Sequence, residues 1–565
     1  MLGPNARGFL LTVFTGALLA CAGPQVLREG APPQEEVELT ALQHFERKKD
    51  LACEPNKEHW RVQGTPRRGG TFVKSASSVT HLDLTQAGGN ITNTPQVYEH
   101  LVETRACYYE DMVMVPKLAR SWDVSPDGTV WTLKLRDDVR WHHKPPINGR
   151  PFTAADVAWT IDHQKAGGLL RSAWAPVKHE VRDPLTIVLT LPEPQADFLG
   201  NVLGERNSIM LPREVKEQHG DFKSAAVGTG PFMVKGYTTG QRVSLERNPD
   251  YREAGVDGKP LPYIDAMEAV YFADYAAEVA AMRAGQVDLN GTTGFFKRDA
   301  DTLRAANPKL VMYQDVAAMP RSLWMLLDQK PFDDVRVRKA LALAIDHDEV
   351  IEGAFQGGAM RTSHLPSSIV QYAWPPSKVR EKYAMDRERA KQLLREAGFG
   401  PGAPLKFTMK SSTAPRDISG AEIVQNHLRQ VGIDVDIEQV AESVSTVLNR
   451  RDYVVAWGGN SPSSTLPDRW MGGFVRCGDS RNPTNLCDQE IDRLSLAQSR
   501  ELDPARRKVI LDQMQDILYE KMYWIPTLSI VYYRFYSCRV QNVPPADYNN
   551  NVTGLAGAWI DDTGC

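Results

Sequence analysis

No block of like charge runs through this 565-residue chain: 66 Lys and Arg face 70 Asp and Glu, leaving a formal net charge of -4. A balanced surface of that kind has no sequence-blind attraction to nucleic acid or acidic lipid, so no nucleic-acid partner is expected. Beyond the first twenty residues, no segment is apolar for long enough to span a bilayer. Cysteine is sparse, with seven residues and no Cys-x-x-Cys pair or added His at ligand spacing, so a structural metal site has no donor set. Gly-x-Ser-x-Gly, His-Glu-x-x-His and phosphate-loop patterns are all missing. An exported hydrolase therefore has no positive support, no cofactor or metal is implied, and no internal repeat emerges.

What is present is length and apolar content. With 42% hydrophobic residues, 565 residues can bury more than one core, and two or three domains are expected. At the start, a single cation, Arg7, precedes the apolar run Phe9 to Ala20, which is too short for a mature transmembrane helix and suits the h-region of a signal peptide over 1-20. That run ends in Leu18-Leu19-Ala20-Cys21, which resembles the lipobox of bacterial lipoproteins; the resemblance implies cleavage before Cys21 and acylation of its thiol and amine. Several acyl chains anchor stably. Ala22 rather than Asp follows, and under the sorting convention of such lipoproteins that would not hold the protein in an inner membrane.

Export places the remaining six cysteines in an oxidising compartment. The favoured pairings are Cys477 with Cys487, closing a short loop, and Cys538 with Cys565, stapling the C-terminal tail; Cys53 and Cys107 are left to pair.

Residues 21-66 are rich in Gln, Glu, Lys and Pro and read as a tether, with one short amphipathic helix around Leu39 to Arg47. The folded body opens at Gly69-Gly70-Thr71-Phe72-Val73, a turn leading into a strand. Trp131 to Leu135 alternates like a half-buried strand, Leu185 to Thr190 is β-rich, and Thr153 to His163 has an N-cap Thr and helical spacing. The spacing predicts long helices over Val335 to Ile351 and Arg387 to Ala397, the latter stopped by Gly398. Leu405 to Lys410, Ala421 to Val431 and Asp434 to Gln439 follow as strand, helix and strand, a βαβ rhythm implying a helix-covered sheet.

Asp127-Gly128 reads as a hairpin turn, since Gly tolerates the positive φ required. Gly228-Thr229-Gly230-Pro231 lacks a following Gly-Lys-Ser/Thr and leads into a strand, which argues against phosphate binding. His142-His143 has no third donor nearby and reads as a solvated loop.

Pro116 to Trp122, Ser125-Pro126-Asp127-Gly128, Leu133 to Trp141 and Phe152 to Val157 resemble the signature stretch of family 5 extracellular solute-binding proteins. That family includes dipeptide, oligopeptide and nickel binders. The likeness continues through Gly228 to Phe232, Arg247-Asn248-Pro249-Asp250-Tyr251, Gly285-Gln286-Val287-Asp288, Val337 to Leu341 with Ala344-Ile345-Asp346, and Ala390 to Phe399, in the family order.

The resemblance implies an α/β, two-lobed periplasmic-binding-protein-like fold with an extra inserted subdomain in the first lobe, the large cluster C type. Lobe I is placed at 67-92, 211-316 and 529-565, the inserted subdomain at 93-210, and lobe II at 317-528. The crossings near Gln314 to Met319 and Pro526 to Ser529 form the hinge. It further implies a monomeric substrate-binding lipoprotein of an ABC importer. Such a protein captures a peptide-like solute by hinge closure and delivers it to permease subunits, at the periplasmic or outer cell surface, without catalysis.

In peptide-binding relatives an Asp in a Trp-x-x-Asp segment pairs with the ligand ammonium. The matching segment here is Trp457-Gly458-Gly459-Asn460, so an amide replaces the carboxylate. An ammonium buried without an anion costs several kcal/mol. Either Asp468 supplies the charge through a fold-back of the loop after Asn460, or the ligand has no free amine there, as for blocked peptides, oligosaccharides or metal chelates. Tyr98 and Trp324 are further ligand-wall candidates. A sensor that kept the clamp but lost transport is the remaining alternative.

Overall fold

The computed structural model describes residues 65-565, except 77-79, 87-88, 90-95, 108-110, 273, 292-293, 318, 370, 461-465, 544-554 and 564. All described residues belong to one compact unit. The expected signal peptide, Cys21, Cys53 and all but the last two residues of the expected tether, with its short helix, lie outside them, as does the side chain of Cys107.

The strand predicted at Gly69 onward is Thr71-Ala76. It opens a four-stranded sheet, pairing in parallel with Ala266-Tyr271, which continues antiparallel through Arg242-Arg247 to Phe232-Thr238. A second four-stranded sheet is wholly antiparallel, in the order Ala119-Val124, Val130-Leu135, Thr186-Thr190, Lys178-Asp183. The hairpin at Asp127-Gly128 joins its first two strands: Gly128 sits at φ +72° and the Asp127 carboxylate accepts from Thr129 N at 3.1 Å. Helix α1, Ala154-Gly167, follows Thr153 as expected, and the Asp156 carboxylate accepts the Thr153 N-H at 2.8 Å.

A third sheet runs Val311-Val316, Ile525-Tyr536, Arg321-Met325, Val455-Gly459, Leu405-Ser412, Ile433-Val440, with Ala359-Arg361 beside Ile525-Tyr536. Helices cover it. The sequence predicted one helix from Val335 to Ile351; there are two, α2 over Val335-Ala344 and α3 over His347-Phe355. The break has a local cause: Ile345 is extended, and the Asp346 side chain accepts from Asp348 N and Glu349 N at 3.0 and 3.2 Å, capping a new helix instead of continuing the old one. Helix α4 occupies Arg387-Glu396. The βαβ reading holds, with Leu405-Ser412 and Ile433-Val440 parallel neighbours joined by helix α5, Pro415-Gln430. It starts six residues earlier than the apolar spacing indicated, because Pro415 at the first turn is pre-set for helix. Helices α6, Gln489-Arg500, and α7, Pro504-Lys521, close the chain's second half.

Ile525-Tyr536 is the element that ties these parts together. Its twelve residues extend over about 40 Å. Ile525, Leu528 and Ile530 pack in the core formed by α2 to α5, Val531, Tyr533 and Phe535 in a small core with Met282 and Leu303, and Tyr536 in the core that holds Phe72 and Tyr98. Among the described residues two disulfides are formed, Cys477-Cys487 and Cys538-Cys565, with Cα atoms 4.4 and 5.7 Å apart.

Two sequence motifs prove to be packing devices. A Cβ on Gly228 would lie 1.9 Å from the Val97 carbonyl oxygen, and one on Gly230 would lie 2.5 Å from that of Gln96, so the backbones meet only because these residues are glycines. His142 corrects the solvated-loop expectation: it is buried, its Nδ1 accepts from Gly228 N at 3.1 Å and its Nε2 donates to the Gly230 carbonyl at 2.9 Å. Burial pushes its pKa down to about 4, which keeps the ring neutral.

Candidate ligand-binding site

The segment singled out for ligand contact begins in Val455-Gly459, every residue of which is buried. It pairs antiparallel with Arg321-Met325, placing Arg321 opposite Gly459, Ser322 opposite Gly458 and Leu323 opposite Trp457. Alternation along the strand then sends Trp457 and Gly458 to opposite faces. On one face the Trp457 indole lies against α5, where a Cβ on Gly420 would stand 2.9 Å from its Nε1. On the other, a Cβ on Gly458 would meet Val444 at 2.5 Å. Gly458 has φ +155° and its carbonyl accepts from Trp324 Nε1 at 3.0 Å.

Trp324 and Trp457 were candidates for an aromatic wall. Both have no exposed surface; Trp324 stacks on Trp524 at 5.7 Å between centroids. Among the described residues seven tryptophans are almost wholly enclosed, and the geometry assigns this pair to cores, where ring burial is worth about 2-3 kcal/mol each. Tyr98 is likewise buried, in the core that holds Phe72, and burial together with the charge of Asp83 drives its phenol pKa up. The structure thus brings Trp324, Trp457 and Gly458 together through one strand pair and leaves Tyr98 in a separate core.

Beyond the strand the character changes to polar. Arg321, opposite Gly459, holds Asp417 at 2.8 Å, and Asp417 also accepts from Ser412 Oγ at 2.7 Å. Asn460 is 3% exposed. Asp468 lies on the far side of 461-465, and its carboxylate is committed: it accepts from Gln498 Nε2 at 2.9 Å and from Ser499 Oγ, with Arg476 at 3.8 Å. Its own N-H donates to Asp197 Oδ2 at 3.0 Å.

Sequence reasoning missed the junction this builds. Asp197 takes both Nη atoms of Arg507, Arg507 also binds Gln498 Oε1 at 2.9 Å, Gln498 binds Asp468, and the Asp468 N-H returns to Asp197. Around this ring, Ala196 N donates to the Ser499 carbonyl at 2.7 Å, Arg500 pairs with Glu193, and Arg469 reaches Asn201. No local spacing could reveal it, because the partners stand as much as 310 residues apart.

The family model of bacterial extracellular solute-binding proteins, family 5 Middle, matches residues 113-482. The chain belongs to that family. This family 5 protein is 27% identical over 443 residues to di/tripeptide-binding protein 2 of Pseudomonas aeruginosa, covering 73% of the present chain and 80% of the relative. It is 26% identical over 481 residues to the glutathione-binding protein GsiB of Salmonella paratyphi A, covering 80% and 85%. Among solved structures, periplasmic binding protein DppA of Helicobacter pylori, in complex with the peptide STSA, superposes with TM-score 0.69 at 24% identity over 87% of this chain and 98% of that one. The family 5 protein thus has the two-lobed α/β fold of periplasmic binding proteins, and no described helix is long and apolar enough to cross a membrane.

Proposed function

We propose that the protein is the substrate-binding lipoprotein of an ABC importer, closing two lobes around a peptide-like solute and presenting it to permease subunits without chemistry of its own. In this reading lobe I comprises 67-92, 211-316 and 529-565, the inserted subdomain 93-210 and lobe II 317-528. The crossings near Gln314 to Met319 and Pro526 to Ser529 act as the hinge. A signal peptide over 1-20 and acylation at Cys21 hold the monomer at a membrane surface. The observation that carries the reading is the junction between 193-201 and 466-507, which draws the inserted subdomain onto lobe II through residues that belong to neither hinge crossing. The di/tripeptide- and glutathione-binding relatives support the peptide-like part.

Asn460 and Gly458 border the ligand in this proposal. Of the two readings, charge supplied by Asp468 or a ligand without a free amine, the geometry favours the second, since the Asp468 carboxylate is already taken up by Gln498 and Ser499. Calorimetry with trialanine, its N-acetyl form and glutathione tests this. Equal or tighter binding of the N-acetyl peptide is expected, and a strong preference for free trialanine that disappears in Asp468→Ala would sink it.

A further inference from the structure

Seven arginines lie in 466-507 on the lobe II side of the junction, and six of them hold a carboxylate, Arg493 with Glu490 and Arg506 with Glu501 among them. Arg507 has Asp197, Arg500 has Glu193, Arg481 has Asp479 at 3.0 Å and Arg476 has Asp468 at 3.8 Å. Arg469 is the exception. It opens the Arg469-Gly473 turn just past 461-465, it is half-buried, and among the described residues no carboxylate lies within 4.0 Å of it. Its hydrogen bonds are two long ones to Asn201 of the inserted subdomain, Nε to Oδ1 at 3.3 Å and Nη2 to the carbonyl at 3.4 Å.

A guanidinium offers five donors in a planar fork suited to a carboxylate, and withdrawing it from water without an anion is unfavourable. The acidic group with the largest influence on it, Glu205, is turned to its own neighbour, accepting from Asn207 N at 2.6 Å and Asn207 Nδ2 at 3.2 Å. Burial lowers the Arg469 pKa and the Arg481 charge adds to that, while Glu205, Asp468 and Asp197 act against it from beyond ion-pair distance. Within the ten residues from Asn460 to Arg469 this chain therefore has a neutral amide at Asn460, an Asp468 already engaged by Gln498 and Ser499, and a cation with no carboxylate within 4.0 Å among the described residues.

We propose that Arg469 is a ligand anchor, and that the solute presents a carboxylate, not an ammonium, to the side of the cleft bordered by Asn460 and Arg469. This rests on the solute-binding reading above and adds the charge of the ligand to it. The fork of Arg469 takes the carboxylate side-on, and Asn201 steers the guanidinium from the opposite lobe, so the anchor is complete only when the junction is made.

The test uses three probes by calorimetry: N-acetyl-trialanine, which carries only a carboxylate, its uncharged C-terminal amide, and trialanine amide, which carries only an ammonium. Wild type is expected to bind the acid at least ~30-fold tighter than either amide. Arg469→Gln should bring the three within ~3-fold of one another, and Arg469→Lys should restore part of the preference. Preference for the acid that survives in Arg469→Gln, or tighter binding of trialanine amide, overturns the proposal. Succinate supplies an arm free of peptide chemistry, read as a rise in melting temperature that Arg469→Gln abolishes. If the peptides fail to bind and the succinate shift depends on Arg469, the peptide reading falls and the anion anchor stands. If neither peptide nor succinate gives an Arg469-dependent effect, the anchor falls.

Discussion

Arg507 and Asp197 face each other across 310 residues of sequence, Nη1 to Oδ1 at 2.5 Å and Nη2 to Oδ2 at 2.7 Å, with side chains 5% and 7% exposed. A bidentate pair this enclosed is costly to assemble and more costly to break, because removing one partner strands a buried charge. Asp197→Asn should therefore cost about 3-5 kcal/mol of interaction at the junction. Hydrogen exchange should show 193-201 and 466-507 losing protection together, while Arg507→Gln added to Asp197→Asn recovers part of the loss. Loss confined to one segment would show that the two do not act as a unit.

The glycines at close backbone contacts give a stability prediction with an internal control. Gly228→Ala places a methyl carbon 1.9 Å from a backbone oxygen, and no rotamer relieves a clash with the main chain. A loss of about 3 kcal/mol in urea denaturation is expected, against less than about 1 kcal/mol for Gly236→Ala, whose added Cβ meets nothing within 4 Å. Similar losses at the two positions would contradict the role given to the Gly228-Thr229-Gly230 motif.

Three buried histidines set an acid limit. Burial lowers His142 and His347 to about 4 and His364 to about 3, while in the unfolded chain each binds a proton near 6.5. Between those values the unfolded state holds more protons, so stability is full above pH 6.5 and is lost as pH falls toward 4 and 3. Each histidine contributes a slope of about 1.4 kcal/mol per pH unit inside that window. Denaturation midpoints from pH 7 to 4, with the imidazole signals followed by NMR, measure it; His142 titrating near 6.5 in the folded protein would refute the assignment.

Each disulfide closes a short loop, with separations of 10 and 27 residues, and each should contribute about 3 kcal/mol through the unfolded chain. Serine pairs replacing Cys477 with Cys487, and Cys538 with Cys565, should each lower the melting temperature. The second pair should in addition release the tail strand Trp559-Ile560 from Val540-Gln541, visible as faster exchange there.

Much of this fold is written locally in the sequence. The alternation at Trp131-Leu135, the turn at Asp127-Gly128, the Thr153 start of α1 and the βαβ rhythm around α5 all depend on neighbours within a few residues, and all are found where expected. The break between α2 and α3 was hidden because apolar spacing continues through it, and only the competing hydrogen bonds of Asp346 interrupt the backbone. His142 was misjudged because its partners, Gly228 and Gly230, are contributed from far along the chain. Asn460 was legible as a departure from a motif. Arg469 was not, since what distinguishes it from Arg476, Arg481, Arg500 and Arg507 is the set of carboxylates around it in space.

Hinge closure around a solute is the central claim, and X-ray scattering from the folded body addresses it most directly. Native mass spectrometry of protein purified without refolding first identifies the retained cargo, and scattering is then recorded with that solute removed and restored. The account predicts a smaller radius of gyration in the loaded protein, with Asp197→Asn holding the larger value at the same solute concentration. Saturated binding with an unchanged radius of gyration would contradict it.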